Sequence, residues 1–420
     1  MTRVEKSLYI HIPFCASRCF YCDFVSSAGL SRAWQERYAR ALIRELELYD
    51  KTRGVRDDEN HDGSWDTVYI GGGTPTYLDE DILEGIIIGL GLAKTRASGR
   101  PGVPNEPRPR EFTVEANPGT LSVSKLDTLR RMGCDRLSIG AQSFDDRYLA
   151  SLGRRHSAAD FSLAWALARE AGFANMSLDL MYGLSGQSLD HWRETLAKAI
   201  ALAPEHISLY QLNIEPGTEL ARLTDIGSYK AADEENCGEQ YSLAHDMLTG
   251  AGYDHYEISN YARPGYESRH NLRYWRNERY IGLGAGASGY IAAREEQPLG
   301  DKANGIIGFR YTNKPDILDY MTAVENREKP VAMSEEITPS LAMAEELMLA
   351  FRLREGVSLT SFYDRWGINL SDKYGSAIKN CLKAGLVEYN ETCREGRDTI
   401  RLGPTIEGWL QYNTWIQEFI

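Results

Sequence analysis

Three cysteines lie close together near the start of the chain, in the segment CASRCFYC at residues 15–22. Cys15, Cys19 and Cys22 follow the spacing CxxxCxxC. Three thiolates suit the soft iron of an iron-sulfur cluster, whereas a structural zinc site normally takes a fourth protein ligand. A 4Fe-4S cluster that is held by three thiolates keeps one iron open to a further ligand. The spacing therefore predicts such a cluster, with a zinc site as the alternative.

A second group of candidate residues follows the ends of predicted strands. The segment GGGTP at residues 71–75 comes after an apolar run, and its glycines let the backbone approach a ligand and expose N–H groups. A tight turn is the alternative for this segment. Glu115 and Gln142 stand at or just beyond strand ends, although Glu115 could instead cap a turn. Asp179 is set among apolar residues, and an acid in a buried strand needs a partner.

The elements that must position these residues alternate along the chain. Helical segments with apolar residues at 3–4 spacing separate short apolar runs. The predicted strands lie at residues 8–12, 67–70, 111–115, 136–140, 177–184 and 206–211. This alternation predicts an α/β fold with a parallel sheet and right-handed crossovers. In a parallel α/β barrel the functional residues stand at the carboxyl ends of the strands, where the cysteine loop and GGGTP also fall.

The pattern changes after about residue 336, where three predicted helices precede two short strands. This order predicts a mainly helical, winged-helix-like cap at residues 336–420. Acidic pairs in the cap favour a structural or lid role over DNA binding. We therefore expect three parts: a core at residues 1–225, a barrel extension at residues 226–335, and the cap.

Composition excludes some classes of function. The formal net charge of −13 over 420 residues argues against a general nucleic-acid binder. The longest apolar run, at residues 82–92, is too short and too interrupted to span a membrane, so we do not expect an integral membrane protein. Residues 1–6 lead directly into the first strand and leave no room for a signal peptide, so we expect a cytoplasmic protein.

The cysteine motif and its flanks carry a resemblance to a known family. CxxxCxxC after an apolar strand, preceded by YIHIPF and continuing as YCDF, resembles the radical S-adenosylmethionine (SAM) superfamily and, within it, the oxygen-independent coproporphyrinogen III oxidase-like family. The resemblance implies an open partial (β/α)6 barrel whose gap admits a large substrate. It also implies that SAM binds the open iron of the cluster and is cleaved reductively.

The same resemblance implies a set of SAM-binding residues. The GGGTP loop would contact the amino group of SAM, Glu115 its ribose or amino-acid moiety, and Arg154 its carboxylate, which a guanidinium pairs with well. The positions that match the family pattern are Tyr9, Tyr21, Gly72, Gly73, Thr74, Glu115, Gln142, Arg154 and Asp179.

A further motif, HNLRYW at residues 270–275, resembles the HNxxYW motif of the haem-chaperone branch of this family. Imidazole is a common axial ligand of haem iron, and aromatic rings offer flat apolar faces to a porphyrin. His270, Tyr274 and Trp275 are therefore the expected haem-binding residues. A histidine beside aromatic residues is otherwise often a hydrogen-bonded core residue, which is the alternative.

These resemblances imply a haem chaperone that binds a 4Fe-4S cluster, SAM and haem. Its expected partners are recipient haemoproteins such as respiratory enzymes and an electron donor. The alternative is a radical enzyme acting on a tetrapyrrole, either the oxidase or a related methyltransferase. The oxidase carries a further cysteine where this chain has Phe24 and has an N-terminal extension that this sequence lacks, so we place the chaperone first. A purely structural cluster would leave the candidate SAM residues unexplained.

Overall fold

The computed structural model describes residues 7–53, 65–93, 109–292, 305–394 and 397–420. Residues 1–6, on which the expectation about a signal peptide depends, lie outside these ranges. Within the described ranges, no helix combines the length and the apolar composition that crossing a membrane requires.

Most strands belong to one large sheet. Its members are β1 Ser7–Ile12, β2 Thr67–Gly72, β3 Glu111–Ala116, β4 Arg136–Gln142, β5 Asn175–Tyr182, β6 His206–Gln211, β7 Asp254–Glu257, β8 Asn260–Ala262, β9 Tyr280–Leu283, β10 Ser288–Ala292, β11 Gly308–Asn313 and β12 Val331–Ile337. Their spatial order is β12-β11-β10-β9-β1-β2-β3-β4-β5-β6-β8-β7. A short parallel pair, Phe14–Cys15 with Ser27–Ala28, closes the base of the cysteine loop.

The six predicted strands stand side by side as β1 to β6, and all their pairings are parallel. The predicted α/β fold with a parallel sheet is therefore confirmed. A seventh parallel strand, β9, was not predicted, and it pairs with the free edge of β1. The remaining strands pair antiparallel at the two margins of the sheet.

Helices lie between these strands along the chain. They are α1 Arg32–Arg53, α2 Glu80–Gly89, α3 Val123–Met132, α4 Asp146–Ser151, α5 Ala158–Glu170, α6 Leu189–Ala201, α7 Glu219–Asp225, α8 Glu234–Gly250, α9 Arg269–Trp275 and α10 Ile317–Glu325. Several begin at a side-chain cap, such as Ser157, which forms a capping box with Asp160 at the start of α5.

Strand alternation separates the apolar core from the polar interior. Leu8, Val114 and Ile139 are fully buried, and each such side chain contributes about 1.5 to 3 kcal/mol to folding. Because successive strand residues point to opposite faces, the residues next to them in sequence point away from this core. Glu115 and Ser138, which are register partners on β3 and β4, therefore share the interior face.

The C-terminal part has its own small core and sheet. Its helices are α11 Pro339–Ala350, α12 Leu359–Trp366, α13 Leu370–Lys383, α14 Ile406–Leu410 and α15 Tyr412–Trp415, and its strands are β13 Val357–Ser358, β14 Val387–Arg394 and β15 Arg397–Pro404. Phe351, Phe362 and Trp415 pack in its core. Three helices followed by a hairpin agree with the predicted winged-helix-like order. Backbone hydrogen bonds from Ile258 to Arg352 and from Arg354 to Tyr256 join this part to β7.

Candidate functional site

A cavity of about 680 Å³ opens at the carboxyl ends of the parallel strands. Its volume is in the range of small-molecule and cofactor sites. The three motif cysteines and most of the expected SAM residues line it: Cys15, Cys19, Cys22, Tyr21, Gly72, Gly73, Thr74, Glu115, Gln142, Arg154 and Asp179. Sequence positions that are far apart are thus brought to one surface.

The three thiols are partly buried along one wall of this cavity. Burial raises the pKa of the Cys15 thiol to about 11 and also raises the pKa of Cys22. A metal that binds these thiols must therefore displace their protons. The donor set fits an iron-sulfur cluster, because all three donors are soft sulfur atoms on a loop that is open to the cavity. Within the described ranges, no three His, Cys, Asp or Glu side chains converge closely enough to hold a single metal ion.

The glycine loop at residues 71–75 packs closely against the cysteine loop and is hydrogen-bonded to the residues that precede it. A Cβ at position 73 would lie 2.9 Å from the Cys15 sulfur, so only glycine fits there. The amides of Gly73 and Thr74 donate to the carbonyls of Ile12 and Phe14 at 2.8 and 2.9 Å. These N–H groups therefore hold the two loops together, which corrects the expectation that the loop exposes them to a ligand.

Glu115 is held at the end of β3 by two donors. The Tyr69 hydroxyl donates to its Oε1 at 2.7 Å, and the Gly72 amide donates to its Oε2 at 3.0 Å. Burial, followed by the negative charge of Asp179, raises the pKa of Glu115 to about 7. A bound cation or hydroxyl donor would stabilise the ionised form. The hydrogen bond from Gly72 is not that of a simple turn cap, because it comes from the neighbouring strand.

Asp179 faces the same cavity from β5. Ser138 donates to both of its carboxylate oxygens at 3.1 and 3.0 Å, and Ser177 donates to Oδ1 at 3.1 Å. Ser138 and Ser177 are therefore the hydrogen-bond partners that a carboxylate in a buried strand requires. Ser138, Ser177 and Tyr69 were not predicted as site residues, although their alternation with apolar residues on β2, β4 and β5 could have indicated the interior face.

Gln142 and Arg154 meet at the end of β4. Gln142 has a φ of 65°, and the register between β4 and β5 shifts between Gly140 and Gln142. Such a bulge redirects a side chain, and left-handed backbone at a non-glycine residue is typical of functional sites. Arg154 donates to the carbonyl of Gly140 at 2.8 Å and lies 3.5 Å from the Cys19 sulfur. A fixed positive charge therefore stands beside the cysteine loop.

Tyr9 is the one expected SAM residue that does not line this cavity. Its hydroxyl lies 2.9 Å from Nδ1 of His11, and its ring lies beside that of Tyr69, with centroids 6.2 Å apart. Tyr9 therefore supports Tyr69, which in turn holds Glu115. Contact between Tyr9 and SAM stays a prediction.

His270 is fully buried and both of its ring nitrogens are engaged. Nδ1 lies 2.8 Å from the Thr67 hydroxyl, and Nε2 lies 2.8 Å from the Tyr274 hydroxyl. Burial lowers the pKa of His270 to about 3. Thr67 is the first residue of β2, so His270 lies at the opposite end of that strand from the glycine loop. In this arrangement His270 is a hydrogen-bonded core histidine, which corrects the expectation that it presents a nitrogen to haem iron.

The two aromatic residues of the same motif are also packed against protein. The ring of Tyr274 meets that of Tyr280 edge-on, with centroids 4.7 Å apart, and the Arg352 guanidinium lies 5.3 Å from the centre of the Trp275 ring. Neither residue lines the cavity at the strand ends. The motif is therefore not brought to the cysteine loop.

Comparison with known proteins agrees with this geometry. A model of the radical SAM superfamily matches residues 9–199, and a model of the HemN C-terminal domain matches residues 337–393. The chain is 36% identical to the heme chaperone HemW of Bacillus subtilis over 92% of this chain and 94% of that protein. It is 38% identical to the heme chaperone HemW of Escherichia coli over 68% of this chain and 70% of that protein.

The solved structure of coproporphyrinogen III oxidase (HemN) from Escherichia coli, described as a radical SAM enzyme, has the same fold. Its TM-score is 0.75 at 20% identity, over 99% of this chain and 90% of that one. The expected partial barrel with a mainly helical C-terminal part is therefore confirmed. Because the relatives at 36% and 38% identity cover most of the chain, it belongs to the HemW family of the radical SAM superfamily.

Proposed function

We propose that this protein is a haem chaperone that binds a 4Fe-4S cluster, SAM and haem and delivers haem to recipient haemoproteins. One observation carries the proposal. Three thiols, an arginine and two carboxylates converge on one cavity in a chain that shares 36% identity, over 92% of its length, with a protein named heme chaperone HemW.

Different residues of the cavity would bind the cluster and SAM. Cys15, Cys19 and Cys22 would hold the cluster, which when bound supplies an electron to SAM. Arg154 places a positive charge between the cysteine loop and the end of β4, where it would attract the SAM carboxylate. Glu115 would accept from the amine or ribose of SAM.

Asp179, which already accepts from two serines, would add a second negative charge to the pocket. Tyr21, Gly72, Gly73, Thr74 and Gln142 complete the proposed SAM pocket. The pairing of one cationic and two anionic groups suits SAM, because SAM carries a carboxylate, an amine and a sulfonium.

The proposed partners follow from this role. An electron donor must reduce the cluster, and the recipients would be haemoproteins such as respiratory enzymes. Location in the cytoplasm stays a prediction. Phe24 is 63% exposed and lines the cavity where the oxidase would have a cysteine, which supports the chaperone over the oxidase.

Anaerobic reconstitution tests the proposal. The full chain is loaded with iron and sulfide, reduced, and incubated with SAM and either haem or coproporphyrinogen III. We expect a stable haem complex and no protoporphyrinogen. Formation of protoporphyrinogen, or of a methylated tetrapyrrole, would instead identify a radical enzyme acting on tetrapyrroles.

A further inference from the structure

A series of polar side chains runs from Asp179 of the proposed SAM pocket to the start of β6. Ser177 and His206 are register partners on β5 and β6, and both are fully buried. Nδ1 of His206 lies 2.8 Å from the Ser177 hydroxyl, which donates to Oδ1 of Asp179 at 3.1 Å. Nε2 of His206 lies 2.8 Å from the hydroxyl of Tyr256 on β7. Four side chains on three strands are thus joined in one hydrogen-bonded series.

We propose that His206 is a positioning residue of the SAM site, which fixes the Ser177 hydroxyl so that its hydrogen is donated to Asp179. The inference rests on the proposed function, in which Asp179 belongs to the SAM pocket. His206 itself does not line the cavity at the strand ends. It therefore acts on SAM only through Ser177 and Asp179.

The available donors and acceptors set the direction of this series. The backbone amide of Ser268 donates to the Tyr256 hydroxyl at 3.3 Å, so that hydroxyl keeps its own hydrogen to donate. Within the described ranges, the only protein acceptor bonded to it is Nε2 of His206. Nε2 therefore carries the lone pair, and the single hydrogen of the neutral ring is on Nδ1. That hydrogen is donated to Ser177, whose own hydrogen is left for Asp179.

The reverse order would satisfy fewer groups. His206 would then donate from Nε2 to Tyr256, and Nδ1 would take the hydrogen of Ser177. Asp179 would lose that hydrogen bond, and the hydrogen of Tyr256 would have no acceptor within the described part of the protein. A bond from a hydroxyl to an ionised carboxylate is stronger than one to a neutral acceptor, which favours the first order. Ser208 does not compete for the hydrogen of Ser177, because it lies farther away, at 3.4 Å.

The surroundings keep His206 neutral and fixed. Burial, followed by the positive charge of Arg136, lowers the pKa of His206 well below its ordinary value. A neutral imidazole has one donor and one acceptor nitrogen, as the proposed order requires. The ring also meets that of Tyr256 edge-on, with centroids 5.8 Å apart.

His270 provides a matched control within the same fold. It is also fully buried, with Nε2 2.8 Å from the Tyr274 hydroxyl and Nδ1 2.8 Å from that of Thr67. Thr67 donates its own hydrogen to Ser7 at 2.9 Å, so His270 carries its hydrogen on Nδ1 as His206 does. This second series ends at Ser7, which does not line the cavity at the strand ends. Replacing either histidine should cost stability, but only replacing His206 should change SAM binding.

Anaerobic calorimetry of the reconstituted full chain tests the proposal. His206→Leu should weaken SAM binding about 3- to 10-fold with the bound iron unchanged, because the Ser177 hydroxyl is no longer fixed. His206→Asn, which places an N–H near the position of Nδ1, should restore most of the affinity. His270→Leu should bind SAM as tightly as wild type. In a Ser177→Ala background, His206→Leu should cause no further loss, because the histidine acts only through that hydroxyl.

The ring form of His206 can be measured without SAM. NMR spectra of protein with isotope-labelled histidine nitrogens should show its hydrogen on Nδ1, and the signals that disappear in His206→Asn identify the ring. A hydrogen on Nε2 would overturn the proposed order whatever the SAM affinity.

The binding data separate failure of this inference from failure of the proposed function. If wild-type protein binds no SAM, both fail. If wild-type protein binds SAM and His206→Leu binds it equally well, or if the effects of His206→Leu and Ser177→Ala simply add, only the role of His206 is wrong. Should His206→Leu not fold, His206→Gln replaces it, since its amide reaches the position of Nε2 and leaves no donor near Nδ1; wild-type affinity in that variant would also contradict the proposal.

Discussion

Glu115→Gln should weaken SAM binding in a pH-dependent way. The carboxylate is held by Tyr69 and Gly72, and burial raises its pKa from 4.5 to about 7. An amine or a hydroxyl of SAM interacts best with the ionised carboxylate. Below pH 7, SAM binding must therefore first remove a proton from Glu115, and wild-type affinity falls.

The size of the effect follows from this pKa. Each pH unit below the pKa costs about 1.4 kcal/mol, or a factor of about ten in affinity. The glutamine variant cannot ionise, and at pH 8 it should bind SAM more weakly by about 1 to 3 kcal/mol. The ratio of wild-type to variant affinity should then fall about tenfold between pH 8 and pH 6.

The same pKa affects folding in the opposite sense. Because the folded pKa of Glu115 lies above its unfolded value, its contribution to stability is fully present below pH 4.5 and is lost as the pH rises through about 7. Without SAM, the glutamine variant should therefore gain stability relative to wild type between pH 4 and pH 8, by at most about 3 kcal/mol.

Anaerobic calorimetry of the reconstituted protein at pH 6, 7 and 8 measures both affinities. Using their ratio removes the ionisation of SAM itself, which is common to both proteins. Glu45→Gln is the matched control, since burial also raises the pKa of Glu45 to about 7 but its partners are Tyr320, Gly284 and Asn313. A wild-type to Glu115→Gln ratio that stays constant with pH would refute the reasoning.

Three further predictions concern the cluster, the guanidinium and the motif histidine. Cys19→Ala should lose bound iron and sulfide, whereas Cys134→Ala, at a fully buried position away from the motif, should retain them; iron analysis decides, and a full cluster in the first variant would contradict the assignment. Arg154→Lys keeps the charge but lacks the planar fork, so calorimetry should show SAM binding weaker by about 1 to 3 kcal/mol with the cluster retained; unchanged affinity would remove Arg154 from the SAM site. His270→Ala removes one buried hydrogen bond from each of Thr67 and Tyr274, although Thr67 still donates to Ser7, and it should lower the free energy of unfolding by about 2 to 5 kcal/mol while the haem spectrum persists, as denaturant titration and absorption would show. A changed haem spectrum with unchanged stability would restore His270 to the haem site.

Much of the barrel could be predicted because local pattern and topology agree. The bounds of the strand at residues 206–211 match the predicted ones. The strand β9 was missed because it is four residues long and precedes a glycine-rich segment. Only its pairing with β1 makes it part of the sheet, and such pairing cannot be read from local periodicity.

Some of the site residues could likewise be placed from the sequence, and others could not. Cys15, Glu115 and Asp179 could be placed because strand ends in a parallel sheet meet at one edge. His270 could not, because its surroundings depend on a partner far away in sequence. His270 bonds to Thr67, 203 residues earlier, and stacks on Tyr69, and these contacts hold the ring against β2. A motif therefore indicates a family but not which way each side chain points.

Haem transfer tests the central claim most directly. The full chain, reconstituted with its cluster and loaded with haem, is mixed under reducing anaerobic conditions with SAM and an apo-haemoprotein of the respiratory chain. An excess of a haem-scavenging protein captures any haem that is released into solution. The account predicts that the recipient acquires its haem spectrum despite the scavenger. Haem that reaches only the scavenger would contradict it.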